Sequence, residues 1–247
     1  MAEPLLELCS LSKSFGGVEA LREVDLTVRA GEVVALVGDN AAGKSTLARV
    51  IAGILQPDSG RMFIDGVQVT IPDAQAAFAL GIASVFQENA LPENLDVVSN
   101  VFLGQELATG GLLDEARMEA EARRHLGRLG GRIPDLHVPL HTLTAGQRQS
   151  VAIARTLVAD PRLVVLDEPT ASLSVGQTAE VLGHIEDLRE LGLGVIFISH
   201  NLADVRAVAD RIEVLRHGRN NGSFTPEGSV DEVIAAITGT RDQRMMS

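Results

Sequence analysis

The 247-residue chain has no tryptophan and no tyrosine, and 7 phenylalanines are all it has for stacking on a flat ligand. A single cysteine, Cys9, excludes an intrachain disulfide and makes a reducing compartment the simplest reading. Long apolar runs are missing. Stretches such as Val33–Val37 and residues 163–166 fall far short of the roughly 20 residues of a bilayer-spanning helix. The opening Met1-Ala2-Glu3-Pro4 has no basic flank and leads into no long apolar stretch, so no ordinary signal peptide is expected there. A soluble chain follows, with any membrane role coming through a partner. Positive charge is scarce: 21 Lys+Arg against 33 Asp+Glu give a formal net charge of −12. That balance disfavours bulk attraction to a nucleic-acid backbone. Hydrophobic residues at 45% and charged residues at 22% exclude disorder as the main state. The length suits one large domain or a domain with an inserted lobe.

What is present alternates. Val24, Leu26 and Val28 interleave with polar residues as in a half-buried strand. Val33–Val37, residues 163–166 and residues 195–198 are unbroken apolar runs of strand length, each followed by a loop and a helical pattern. Such runs suit strands buried on both faces, and their alternation with helices predicts a doubly wound α/β core. Between residues 88 and 160 no strong strand signal is seen. Residues 115–129 carry Met118, Ala122, Leu126 and Leu129 at helical spacing, with Glu119 and Arg123 four apart, and read as an amphipathic helix bounded by loops at Gly110-Gly111 and Gly130-Gly131. This stretch is expected to be a mainly helical lobe set into the core, and residues 241–247 a frayed tail.

Gly38-Asp39-Asn40-Ala41-Ala42-Gly43-Lys44-Ser45, followed by Thr46, fits G-x-x-x-x-G-K-[ST] between a buried strand and a helix. In such a loop the backbone N–H groups and the helix N-terminus cradle phosphate oxygens, Gly43 lets the backbone come close, Lys44 reaches the β/γ-phosphates, and Ser45 offers a hydroxyl to Mg²⁺. Residues 163–166 end in Asp167, a carboxylate placed for a Mg²⁺ shell at the C-terminal end of a buried strand. Glu168 follows and Pro169 stops the strand. Two adjacent carboxylates repel unless their roles differ, which Asp167 on metal and Glu168 as general base would satisfy. Thr144-Ala145-Gly146-Gln147 fits a capping box at the start of a helix, and a capped helix N-terminus is also a phosphate site. His137 and His141 have a ligand-like gap, but Pro139 divides them and no cysteine pair accompanies them, so they read as loop histidines.

In this order the pieces resemble the nucleotide-binding ATPase subunit of ABC transporters, over residues 5–239. Residues 38–46 match the Walker A loop, and residues 163–167 with Glu168 match Walker B and the catalytic glutamate. Leu143-Thr144-Ala145-Gly146-Gln147 matches the Leu-Ser-Gly-Gly-Gln signature, with Thr144 and Ala145 where Ser and Gly are usual. Gln87 matches the Q-loop, His200 the switch histidine, and Phe15, 23 residues before Gly38, the adenine-stacking aromatic. Ser172-Leu173-Ser174 lies at the D-loop, with Ser174 where Asp is common; Ser174 and Gln177 also make a possible capping box.

The resemblance implies a P-loop NTPase (RecA-like) core at 1–87 and 160–240, an N-terminal antiparallel β region, and a helical lobe at about 88–159, together one domain over 1–240. It implies ATP hydrolysis with Mg²⁺ held by Ser45, Gln87 and Asp167, and catalysis by Glu168, His200, Gln87 and Lys44. It further implies a head-to-tail homodimer in which Thr144 and Gly146 of a second copy meet the γ-phosphate. A membrane permease is expected to dock on the lobe and the Gln87 region, which would hold the protein on the cytoplasmic face of the membrane. A soluble ABC ATPase acting on DNA, ribosomes or an assembly scaffold is the rival reading; a non-hydrolysing nucleotide sensor is disfavoured by Glu168 and His200. Residues 85–106, with Gln87-Glu88, Asn94-Leu95-Asp96-Val97 and Asn100-Val101-Phe102-Leu103-Gly104-Gln105-Glu106, resemble bacterial monosaccharide importers. Ser199-His200-Asn201 and Thr238-Gly239 fit that group, especially its single-domain, fructose-type members; many relatives fuse two ATPase domains, for which this chain is too short. The cargo implied is a pentose or hexose delivered by a solute-binding protein.

Overall fold

The computed structural model describes residues 3–86, 91–131 and 133–240. In chain order the elements are β1 (Leu6–Phe15), β2 (Val18–Val28), β3 (Val33–Val37), α1 (Lys44–Ile51), β4 (Ser59–Ile64), β5 (Val67–Val69), α2 (Ala74–Ala79), β6 (Ile82–Val85) and α3 (Val97–Phe102). Then come β7 (Ala108–Thr109), β8 (Leu112–Leu113), α4 (Glu115–Arg128), α5 (Ala145–Thr156), β9 (Leu163–Asp167), α6 (Val175–Glu190), β10 (Gly194–Ile198), α7 (Leu202–Val208), β11 (Arg211–Arg216), β12 (Arg219–Phe224) and α8 (Val230–Thr238).

The three unbroken apolar runs are β3, β9 and β10, and every residue in them is buried. They lie side by side in a six-stranded sheet of order β12-β11-β3-β10-β9-β6, parallel except for the edge strand β12. Both faces are covered, and the period of two sorts the side chains. Val33, Ala35 and Val37 join one apolar cluster with Val151 of α5 and Ile185 of α6. Val34 and Leu36 join the other, with Leu47 and Ile51 of α1 and Leu8 and Leu26 of the N-terminal sheet. That second sheet is antiparallel, in the order β2-β1-β4-β5.

Register decides where the chemistry falls. Ile198 of β10 pairs with Leu36 of β3 on one side and Asp167 of β9 on the other. The C-terminal ends of the three strands are therefore level, and the segments beginning at Gly38, Glu168 and Ser199 leave the sheet along one edge, where α/β sheets bind ligands.

Helices α3, α4 and α5 pack on one another, and Phe102, Met118, Leu126 and Val151 belong to the same cluster as the parallel sheet. The amphipathic pattern appears as α4, with Met118, Ala122 and Leu126 buried and Glu119 paired to Arg123 at 2.7 Å. One expectation needs correction. Beside its helices, the segment between residues 88 and 160 holds the two-residue strands β7 and β8, too short to give a period-two signal. Gly110-Gly111 forms the turn between them instead of bounding the helix: both residues have positive φ, +63° and +86°, as a tight hairpin turn requires. Helix α4 starts at Asp114, whose carboxylate accepts the Arg117 N–H at 3.2 Å.

Candidate active site

The loop after β3 is threaded through a gap that admits no side chain at two points. A Cβ on Gly38, where φ is +153°, would lie 2.2 Å from the Leu215 carbonyl oxygen of β11. One on Gly43, at φ +105°, would lie 2.6 Å from the Ala20 carbonyl oxygen of β2. Glycine is required at both. Between them Asp39, Asn40, Ala41 and Ala42 turn the chain, with Ala41 left-handed at φ +64°. Helix α1 then begins with no side chain capping it. Its first turn, Lys44-Ser45-Thr46, thus leaves helix amides for a ligand, and the helix end favours an anion.

Lys44 folds back across this loop. Its ammonium donates to the Gly38 carbonyl at 2.7 Å and the Asp39 carbonyl at 3.0 Å. Burial pushes its pKa below the ordinary lysine value, opposed by the nearby Glu168, Asp167 and Asp39 charges. Asp167 is 5% exposed, and burial raises its pKa against the Ser45 hydrogen bond and the Arg49 and Lys44 charges. The Ser45 hydroxyl donates to Asp167 Oδ1 at 3.3 Å. These two hard oxygen groups suit Mg²⁺. Among the described residues no cluster of three or more His, Cys, Asp or Glu side chains could hold a metal alone. A cation here would complete its shell with water and phosphate oxygens, as Mg²⁺ does.

Glu168 stands in the left-handed region at φ +54°, an uncommon conformation for a residue with a side chain. Its N–H donates to the Ile198 carbonyl at 3.0 Å, tying the end of β9 to the end of β10. Its Oε2 lies 2.7 Å from Nδ1 of His200. His200 lines a cleft of about 600 Å³ with Val37, Gly38, Asp39, Asn40 and Ile237. The sequence-predicted phosphate loop, Asp167, Glu168 and His200 are thus brought to one place.

Phe15 sits at the tip of the β1–β2 hairpin, 47% exposed, with the Lys13 ammonium 5.7 Å from its ring centroid. The Ala20-Leu21 segment of the same hairpin borders Gly43, which sets the hairpin beside the phosphate loop. Gln87 lies outside the described residues, as do 241–247.

Thr144, Ala145, Gly146 and Gln147 are elsewhere. They begin α5 with a complete capping box: the Thr144 hydroxyl accepts the Gln147 N–H at 3.2 Å, and Gln147 Oε1 accepts the Thr144 N–H at 3.0 Å. Gly146 abuts α6, where an added Cβ would meet Gln177 Cγ at 3.0 Å. None of the four lines the cleft at Gly38. Ser174 precedes α6, and its N–H and hydroxyl both donate to Gln177 Oε1, at 3.0 and 3.1 Å. His137 and His141 are loop residues: His137 faces Asp96 and Glu119, and His141 faces the Glu93 carbonyl.

Thr170 and Asp204 were not legible as site residues. Asp204 is buried, taking a hydrogen bond from Thr170 at 2.9 Å and from Asn201 at 3.0 Å. An acidic residue in the first turn after Asn201 reads from sequence as ordinary helix-start chemistry.

A protein-family model described as ABC transporter matches residues 21–171. A xylose/arabinose import ATP-binding protein of Sulfolobus acidocaldarius is 41% identical over 87% of this chain and 86% of its own length. A ribose import ATP-binding protein of Escherichia coli O157:H7 is 41% identical over 96% of this chain but 47% of its own length. The chain spans about half the length of the ribose-type relatives it matches. Among solved structures, a nucleotide-free ATP-binding cassette from an ABC transporter superposes with a TM-score of 0.84 at 26% identity, over 94% of this chain and 95% of that one. A dimeric post-hydrolysis cassette bound to ADP and Pi gives 0.76 at 26% identity, over 91% of this chain and 100% of that one.

Proposed function

We propose, from the premise that this chain belongs to the ABC transporter family, that it hydrolyses ATP to power import of a monosaccharide through a separate membrane permease. The observation that carries the ATPase reading is the Glu168–His200 pair, 2.7 Å apart on the strand edge that also carries the uncapped phosphate loop.

The residues divide the work. Phe15 stacks on adenine. The amides of residues 38–46 and Lys44 bind the phosphates, Lys44 exchanging its two backbone carbonyls for phosphate oxygens. Ser45 and Asp167, with Gln87, are the groups to hold Mg²⁺, which when bound neutralises phosphate charge. Glu168 takes the proton of the attacking water, and His200 holds that carboxylate and contacts the γ-phosphate. Rate enhancement then comes mainly from position and fixed charge.

The signature half is missing from the cleft: none of residues 144–147 lines it, and Gly146 sits against α6. A second copy, packed head to tail, supplies it, giving two equivalent sites across a two-fold axis. The dimeric cassette bound to ADP and Pi supports pairing of two copies. Loss of the γ-phosphate removes the ligand bridge and lets the pair reopen, which is the mechanical step.

The permease docks on residues 88–159 and the Gln87 region. A cavity of about 240 Å³ lies there, lined by Phe78 of α2, Ser84 of β6, and Leu91, Gln105 and Arg155. This contact would attach the protein to the cytoplasmic face of the membrane; no helix among the described residues is long and apolar enough to cross one. The pentose names of the two relatives support a sugar as cargo; a solute-binding protein is the partner to deliver it. Deleting the gene should abolish high-affinity uptake of one monosaccharide and spare amino acids and metal ions. Loss of another solute with sugar uptake intact would overturn the cargo and leave the ATPase standing. Failure to co-purify with any membrane protein would favour the soluble rival.

A further inference from the structure

Glu168 and His200 come from different strands, and little packing fixes the second of them: the His200 side chain is 69% exposed, against 14% for Glu168. The 2.7 Å contact between them therefore depends on how their two loops are held. Both loops are unusual. The turn after β9 contains two left-handed residues with side chains, Glu168 at φ +54° and Ser172 at φ +63°, closed by the Ala171 N–H on the Glu168 carbonyl at 3.1 Å. Such conformations persist only when surrounding contacts fix them. The loop after β10 runs through Ser199 and His200 to Asn201, which caps α7 by accepting the Ala203 N–H at 3.0 Å.

Asp204 joins the two. Its Oδ2 accepts the Thr170 hydroxyl at 2.9 Å, two residues beyond Glu168 in that turn. Its Oδ1 accepts the Asn201 side-chain amide at 3.0 Å, one residue beyond His200. Each oxygen of one carboxylate thus serves one loop. Asp204 is 7% exposed, and both of its carboxylate oxygens are hydrogen-bonded, as buried polar atoms must be. The same region lines a cavity of about 480 Å³ with Thr170, Ser172, His200, Asn201 and Asp204 on its wall, so the bridge is flanked by open space instead of solid packing. A hydrogen-bonded brace has most effect in such a place.

We propose that Asp204 is a positioning residue for hydrolysis: with Thr170 and Asn201 it holds the Glu168 turn in register with the His200 loop. The inference rests on the reading of Glu168 as the hydrolytic base. It predicts a signature distinct from that of a fold-stabilising contact. Binding of the adenine and of the α- and β-phosphates, made by Phe15 and residues 38–46, is left alone, and the chemical step slows, because a misplacement of about 1 Å costs up to ~100-fold.

The test compares Asp204→Ala, Asp204→Asn, Thr170→Val and the Asp204→Ala/Thr170→Val double variant in the full-length protein, with Glu168→Gln as control. The expected result is a drop in kcat of roughly tenfold or more for Asp204→Ala, with the KM for ATP and the affinity for a fluorescent ADP analogue unchanged. Asp204→Asn, which keeps one acceptor, should recover part of the loss. The double variant should be no worse than the poorer single variant, since the bond that Thr170→Val removes is one of the two that Asp204→Ala removes. Wild-type kcat in both Asp204→Ala and Thr170→Val, beside an inactive Glu168→Gln, would overturn the inference alone. So would losses that add in the double variant, or that follow a fall in Tm and a rise in KM. Turnover retained by Glu168→Gln would instead overturn the base reading beneath it.

Discussion

Two helix N-termini in this chain were expected to meet phosphate, and they are built in opposite ways. Helix α1 begins at a left-handed glycine with no side-chain cap, with Lys44 lying across the loop before it. Helix α5 begins with both halves of a capping box made and its glycine against α6. The first end has unmet donors and a local cation, so its use can be read inside one chain. The second is locally satisfied and turned away from the cleft, so its use is defined only by what another molecule brings to it. The difference predicts that damage to the first site acts on binding and chemistry within a subunit, whereas damage to the second acts between subunits.

The largest effect should come from the chemistry beside the first end. Glu168→Gln should slow turnover at least ~100-fold while ATP still binds, accumulating an ATP-bound dimer on gel filtration. Near wild-type turnover would remove Glu168 from its role. Gly146→Asp sharpens the contrast: its side chain would be crowded against Gln177 and Glu180 of α6 and would displace the α5 end that a second subunit must meet, so it should bind nucleotide normally as a monomer yet fail to hydrolyse it. Lys44→Ala should do the reverse and lose tight binding. Full activity of Gly146→Asp would end the head-to-tail arrangement.

Next in size is Gly38→Ala, which sets a methyl 2.2 Å from the Leu215 carbonyl at φ +153°. Backbone strain of about 1–3 kcal/mol would lower Tm by several degrees before any effect on ligand is counted. An unchanged Tm would mean that β11 and the loop part easily.

Smaller effects separate the regions by pH, with opposite signs. Asp167 has its folded pKa raised above the ordinary 3.8 by burial. It contributes stability that is present below 3.8 and lost as pH rises through the raised value. Asp167→Asn should therefore raise the Tm of the nucleotide-free protein at pH 7 while abolishing Mg²⁺-dependent turnover. In the lobe, burial lowers the pKa of His125 below 6.5. Its contribution is present above 6.5 and lost as pH falls through the lowered value. His125 also carries a buried Nδ1 without a hydrogen-bond partner among the described residues, so His125→Leu should stabilise by about 1 kcal/mol and flatten the acid limb of a Tm–pH curve. A steeper acid limb would contradict the burial account.

Legibility followed the same division. The strands buried on both faces, the loop between Gly38 and Ser45, and Asp167 with Glu168 were readable because each is a local signal: an unbroken apolar run, a glycine spacing, a carboxylate at a strand end. What stayed hidden depends on distant partners. β11 carries two charges, Arg211 and Glu213, in a strand of the main sheet, yet Glu213 is buried and paired with Arg211, which also reaches Glu32. β7 and β8 are too short to show a period, and Asp204 gives no local signal because its partner Thr170 is 34 residues away.

The central claim is that each ATP site needs the α5 end of a second copy. Cys9 is the one native cysteine, so in a Cys9→Ser, Glu168→Gln background two variants can be made, Asn40→Cys at the phosphate loop and Ala145→Cys at the start of α5. Mixed and oxidised, they should give an intersubunit disulfide that forms with ATP and not without it, since cross-linking demands Cα atoms within about 7 Å. Mixed chains that bind ATP yet stay uncross-linked would contradict the account.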